Sequence, residues 1–517
     1  MRSGILLALG HAGADALTVQ QKYVGWIGPY HPSSGTTHAA PGVKNGTAVW
    51  EAFQFGTVCM ENAVSDGGYA LEDDIALHCD KWDVNSVYGM LLPPSEGGTF
   101  NNPNDTSLYS PLSPAGLVQG AARWSRLAAR CPQIAGVQID DFLQNYVGTH
   151  PYTPPSPANY THCAKCAAAS PYPYGDGAVG TFCCADKTDG AHCNKGECCI
   201  SPGISEGCQG VKRCTDASGK VVNPENRSVC GIKPPHAMLT LQNMKDIKAA
   251  LLGHAVDPLT GSVDYSSPAK TPHLKLFICW YTMETAKYDW VKDDGLLKVI
   301  DGVNLWIWDQ TTPTPGYTAE VAKVRDVIGP DTEMMAAAYL LNSGPCKDWC
   351  NIDGFDSILK ESIELYDEGQ LVGMYLFAGG MLAAGFCDGS ACMNQTEWDK
   401  WALPSKLQAE YYPYLGEGEV VVSDASTGKP IAGAAVHVTY GGGAFVSRKL
   451  TSASGLMKFG GWAGKKKLTP HSFVVSADGY TSANGTLQIQ PQAAAQAKVA
   501  LSRADVRVAT AAVVDNR

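Results

Sequence analysis

Between residues 22 and 415, short apolar runs rich in β-formers alternate with stretches of helical period, and few architectures accept that alternation. The runs that read as strands are 23–30, 52–60, 87–92, 134–142, 274–283, 303–309, 333–341 and 372–378. Helical periodicity covers 114–129, 239–252, 318–328 and 355–366. The later strands are nearly continuous hydrophobic runs, as expected where both faces of a parallel strand are covered. The pattern predicts an α/β chain folded as a (β/α)8 TIM barrel over 17–415.

A segment at 143–236, directly after the fourth strand, breaks the alternation. It carries ten of the 18 cysteines, from Cys163 to Cys230, among Gly, Asp, Lys and Ser. Too little apolar surface is present to fold it alone, so disulfide staples are expected to hold it. A zinc site built on Cys163 and Cys166 is the other reading of those cysteines. Cys346 with Cys350 and Cys387 with Cys392 are further local pairs.

The same cysteine richness argues for an oxidising compartment. Residues 1–16 begin with Met1 and Arg2, continue through an apolar run and end in Ala14-Asp15-Ala16, the layout of a secretory signal peptide. Six N-x-S/T sequons, at Asn45, Asn104, Asn159, Asn226, Asn394 and Asn484, agree with a secreted glycoprotein. The net charge of -11 speaks against nucleic acid as the main partner. No run approaches the about 18 apolar residues of a membrane span.

After residue 415 the period changes to two. Residues 416–503 read as a seven-stranded antiparallel β-sandwich with Gly- and Asp-rich turns, and 504–517 as a tail. The run from Gly418 to Val436, the run from Thr451 to Phe459, and the stretch Val475-Ser-Ala-Asp-Gly-Tyr480 carry its turns. Together they resemble the carboxypeptidase regulatory-like (transthyretin-like) domain, which implies a non-catalytic appendage to an extracellular enzyme.

In a barrel, chemistry sits at the carboxyl ends of the strands. There the sequence places Asp140 and Asp141 after the fourth strand, Glu284 after the fifth, and Asp309 with Gln310 after the sixth. Tyr30 and His31 end the first strand. Two carboxyl groups facing one sugar can divide the work of hydrolysis: one protonates the leaving oxygen, the other attacks or activates water. A helix cap is the bland role open to each of these acids. Between the adjacent pair, an inward Asp141 would let Val137 and Ile139 fill the barrel. An inward Asp140 would require Gln138 to be buried and paired. Packing parity therefore favours Asp141.

Aromatics in or at the strand ends, Trp26, Tyr30, Trp280, Tyr281, Trp306, Trp308 and Tyr339, suit the apolar faces of sugar rings. The arrangement resembles the glycoside hydrolase TIM-barrel superfamily. An acid after strand four and another after strand six resemble the retaining alpha-galactosidase clan. That likeness implies Asp140 or Asp141 as nucleophile and Asp309 as acid/base, with Glu284 as an alternative acid. No motif specific to one family is matched. No metal-hydrolase His pair or P-loop occurs, and no serine elbow or dinucleotide fingerprint follows a strand, so no metal or cofactor is expected. The expectation is a secreted glycoside hydrolase acting on a poly- or oligosaccharide. The alternative is a non-catalytic glycan-binding or cell-surface structural protein.

Overall fold

The computed structural model describes residues 26–28, 57–61, 83–91, 114–140, 142–148, 239–282, 288–306, 316–339, 352–377 and 412–504, apart from single positions within them, and a few shorter stretches. Eight strands form one parallel sheet. They are β1 (Trp26–Gly28), β2 (Thr57–Glu61), β3 (Ser86–Leu91), β4 (Ile134–Ile139), β5 (Lys275–Tyr281), β6 (Gly302–Trp306), β7 (Glu333–Tyr339) and β8 (Gly373–Phe377). The hydrogen-bonded order is β1-β8-β7-β6-β5-β4-β3-β2.

The sheet curls, yet it is not the expected (β/α)8 barrel. Among the described residues no ladder joins β1 to β2. Among the described residues five helices accompany the eight strands: α1 (Pro114–Ala128), α2 (Leu241–Leu251), α3 (Val291–Asp294), α4 (Tyr317–Ile328) and α5 (Ile352–Asp367). One of them, α3, has only four residues. Closure needs strands of matched length and stagger all the way round. β1 offers three residues and β2 five, against seven in β5 and in β7. Hydrophobic periodicity finds strands but is blind to whether the first reaches the last.

The outer face of this sheet packs on helices. Val137 and Ile139 of β4, Leu276, Ile278 and Trp280 of β5, and Val303 and Leu305 of β6 share one core with Leu117, Trp124, Met244, Ile247, Val321 and Val324 of the helices. A β-carbon at Gly89 would stand 2.1 Å from the fully buried Trp124 ring, so glycine is what lets α1 lie this close to β3. Thr240 begins α2 in a capping box: its hydroxyl accepts the Asn243 N–H, and the Asn243 side chain accepts the Thr240 N–H.

The carboxy-terminal unit is a sandwich of β9 (Leu415–Asp424), β10 (Ala435–Tyr440), β11 (Ala444–Leu450), β12 (Leu456–Trp462), β13 (His471–Ser476), β14 (Ala483–Leu487) and β15 (Ala494–Leu501). One sheet runs β12-β9-β15 and the other β11-β10-β13-β14. Buried Val420, Val422, Val436, Val438, Met457, Phe459, Phe473 and Val475 lie between them. The sandwich is not wholly antiparallel, because β9 and β15 run parallel from Glu417↔Ala494 to Asp424↔Leu501. Alternation marks which residues face inward and carries no sign of strand direction.

A dense seam joins the two units at the amino end of the parallel sheet. Asn85 Nδ2 donates to Gly460 O at 2.8 Å, and Trp462 Nε1 donates to Asp367 Oδ1 at 2.9 Å. Lys465 and Lys466 pair with Glu364 on α5 at 2.6 and 2.7 Å, and Tyr366 stacks on Tyr440 with centroids 5.4 Å apart. A disulfide between Cys79 and Cys131 ties the approach to β3 to the approach to β4.

In the 143–236 segment the described residues include one antiparallel pair, Phe182–Cys184 with Cys198–Ile200. The segment leaves and returns side by side, since Tyr146 pairs with Leu239 and Gly148 with Thr240. The backbone register sets Cys387 opposite Cys392; Cys346, Cys350 and residues 1–16 lie outside the described residues. Among the described residues no helix is long and apolar enough to cross a membrane, and no group of three or more metal-ligating side chains gathers.

Candidate functional site

The inner face of the curled sheet carries the second core. Tyr88, Met90, Ala135, Phe277, Cys279, Tyr281, Trp306, Met335 and Ala337 pack there, and Phe445 of the sandwich enters the same cluster. Phe445 stands on β11, which packs at the amino end, so the sandwich stops that end of the face. The carboxyl ends of the strands are the usual place for a site in a parallel sheet.

Strand alternation assigns the polar groups of this face. Gln138 lies opposite Met90 and Phe277, both inner-face residues, and it is completely buried. Asn304 lies opposite Cys279 and Met335 and is also completely buried. Asn304 Nδ2 donates to Gln138 Oε1 across the face. Among the described residues the remaining amide groups, Gln138 Nε2 and Asn304 Oδ1, have no partner. Two buried primary amides inside an apolar cluster cost free energy unless something hydrogen-bonds them.

Asp140 follows from the same alternation. Its backbone N–H donates to Leu91 O at 3.1 Å, which carries the β3/β4 ladder one residue past the end of β4. Strand alternation, continued two positions beyond Gln138, assigns position 140 to the inner side. Its side chain is half-buried. The packing premise that favours Asp141 therefore fails: Val137 and Ile139 face the helices, and the buried, paired Gln138 occupies the interior.

The expected site residues divide as follows. Tyr281 stands on the inner face, level with Trp306 in the register, and Asp140 follows directly on the end of β4. Trp280 points the other way, fully buried against the helices, with Nε1 donating to Thr285 Oγ1 at 3.1 Å. It does not share the inner face with Gln138 and Asn304. β1 contains Trp26 and β7 ends on Tyr339, but their side chains are outside the described residues. Asp141, Glu284, Asp309, Gln310, Trp308, Tyr30 and His31 also lie outside them. Asn304 escapes the sequence reading, although a lone amide in the middle of an apolar strand is a signal for it; Gln138 enters that reading only as the condition for an inward Asp140.

Ionisable groups also meet at the amino end. Lys275 pairs with Glu333. Burial pushes the Glu333 carboxyl above its usual range, and Lys275 opposes the shift. His273 is driven down to about 4 by burial and then by Arg448 and His437. His437 is driven down to about 4 by burial, Arg448 and Lys275. This cluster lies under the sandwich, away from the carboxyl ends, and serves the seam.

No known family pattern matches the chain, and no curated protein matches it. Both resemblances drawn from the sequence are thereby overturned. Alternation with Gly/Asp turns is what any sandwich requires, and acids after strands arise equally as caps. Among solved structures, the Bacillus anthracis TIE protein is 14% identical, over 17% of this chain and 17% of that one, with a TM-score of 0.14. The 3-chlorocatechol 1,2-dioxygenase of Rhodococcus opacus 1CP is 10% identical, over 17% of this chain and 60% of that one, at 0.15. The shaft pilin SpaA of Lactobacillus rhamnosus GG is 17% identical, over 18% and 47%, at 0.15. This chain thus covers less than two thirds of each, and likenesses this slight carry no argument about fold or function.

Proposed function

We propose that this protein is a secreted hydrolase of glycosidic bonds in a poly- or oligosaccharide, working at the carboxyl end of the parallel sheet. The observation that supports the reading best is Asp140, half-buried past the end of β4, on the face where Gln138 and Asn304 hold unspent hydrogen-bonding groups. Tyr281 and Trp306 share that face and offer the aromatic planes on which sugar rings pack. The second carboxyl group comes from Glu284 or Asp309, three residues after Tyr281 and Trp306 in the chain. One acid protonates the leaving oxygen while the other attacks the anomeric carbon or activates water. The Cys79–Cys131 disulfide supports the secretory part of the reading.

The test is hydrolysis of a broad panel of oligosaccharides by the parent chain, by Asp140→Asn, and by Glu284→Gln and Asp309→Asn. Asp140→Asn is expected to lower kcat by a factor of about 100 or more, in line with the loss of a positioned acid or base. Glycan binding without turnover in the parent would replace the enzyme by a glycan-binding protein.

A further inference from the structure

Of the six sequons, Asn484-Gly485-Thr486 alone lies within the described residues. It occupies β14, the edge strand of the sheet β11-β10-β13-β14. Its middle residue fixes its outlook. A β-carbon at Gly485 would stand 2.5 Å from the ring of Phe473, a buried residue of the sandwich core. Position 485 therefore faces the core, and by alternation Asn484 and Thr486 face out; both are exposed.

The cross-strand row through Asn484 runs Arg448, His437, Val474, Asn484. Its first two members are half-buried at the seam with the parallel sheet, and its last two emerge from it. Val474, directly opposite Asn484, is 50% exposed, one of three large apolar side chains about half exposed among the described residues. An edge strand with an apolar neighbour and open backbone groups invites pairing with another chain unless something blunts it.

We propose that Asn484 carries an N-linked glycan whose first sugar lies over Val474 and shields the β14 edge. The inference rests on passage through a eukaryotic secretory route. There the host transferase joins the Asn484 side-chain nitrogen to the anomeric carbon of a lipid-pyrophosphate-linked oligosaccharide. The bond from that carbon to the pyrophosphate breaks, the pyrophosphate leaves with the bonding electrons, and the amide gives up one proton. Asn484 and Val474 face each other as directly paired residues of adjacent strands, close enough for a sugar on one to cover the other.

The experiment expresses the full chain in a eukaryotic secretory host, once with its own amino terminus and once behind an added leader. Glycopeptide mass spectrometry before and after amidase treatment reads each sequon. Occupancy at Asn484 in the leader-bearing chain supports the site. A bare Asn484 beside occupied sequons elsewhere would overturn it while leaving secretion intact. Occupancy only behind the added leader supports the site and sinks secretion by the native terminus. Thr486→Ala removes the sequon without touching Asn484 or the core. It is expected to raise binding of an apolar dye and to speed amide exchange along β14 relative to the glycosylated parent. Unchanged dye binding and exchange would overturn the shielding role.

Discussion

Lys449, buried in the sandwich at 5% side-chain exposure, spends its charge on Asp83 of the other unit: its ammonium lies 2.7 Å from the Asp83 carbonyl oxygen and 3.0 Å from the carboxylate. Asp83 holds a positive φ of 46°, unusual outside glycine, and so turns both oxygens toward one cation. Burial pushes the Lys449 ammonium pKa down and Asp83 opposes the shift. Asp83→Ala leaves the ammonium with the carbonyl alone. The expected cost is about 1 kcal/mol after allowing for water at the exposed carboxylate. Lys449→Met removes the buried charge and keeps its volume, so it is expected to remain within about 1 kcal/mol of the parent. Urea unfolding of both variants decides it; the reverse order of stabilities would contradict this account.

Three histidines, His471 buried and His273 and His437 half-buried, set a pH limit. His273, His437 and His471 are each driven down to about 4, with burial the largest cause in every case. His273 and His437 also face Arg448, and His437 faces Lys275, at the seam. Folded pKa values below the unfolded value of 6.5 mean that the unfolded chain binds more protons between pH 6.5 and 4. Stability is therefore full above about pH 6.5 and falls as the pH drops toward 4. Each group contributes on the order of 2 kcal/mol to that loss. Melting temperature measured across this range should decline on acidification. His437→Gln should flatten the slope, and an unchanged slope would remove His437 from the explanation.

The Cys79–Cys131 bond closes a separation of 52 residues. A loop of that length predicts stabilisation of about 4 kcal/mol through restriction of the unfolded chain. Cys79→Ala with Cys131→Ala should shift the urea midpoint to lower concentration. Reduction of the parent should reproduce that shift, and a parent indifferent to reductant would show that the bond contributes little.

How much of this was legible in the chain depends on which physical question is asked. All eight parallel strands stand on the apolar runs that mark them, because a strand covered on both faces needs Val, Ile and Leu at nearly every position. The same fact hides which face is which. Val137, Ile139 and Trp280 are as apolar as Phe277 and Tyr281, yet the first three meet helices and the last two meet the interior. In the middle of the described strands Gln138 and Asn304 break the degeneracy, and their pairing shows only once β4 and β6 are brought across from one another. Barrel closure, and the parallel pairing of β9 with β15, depend on long-range geometry that periodicity does not encode. Of the candidate site, the strand ends are readable; the pairing of Gln138 with Asn304 is not.

The amide pair separates stability from function. Gln138→Leu leaves Asn304 without its acceptor, and Asn304→Leu leaves Gln138 without its donor. Stranding one buried polar group costs about 1–3 kcal/mol, so each single variant should be less stable than the parent. Replacing both by leucine matches apolar to apolar in a cluster already lined by Met90, Phe277 and Met335, and should recover most of that loss. If the pair instead serves a ligand through Gln138 Nε2 and Asn304 Oδ1, the double variant will be stable yet poor in saccharide turnover or binding. Urea unfolding and the oligosaccharide panel, run on the same four proteins, distinguish the cases. Recovered stability with full activity would make the pair a feature of packing alone. Recovered stability with lost activity would place it in the site beside Asp140.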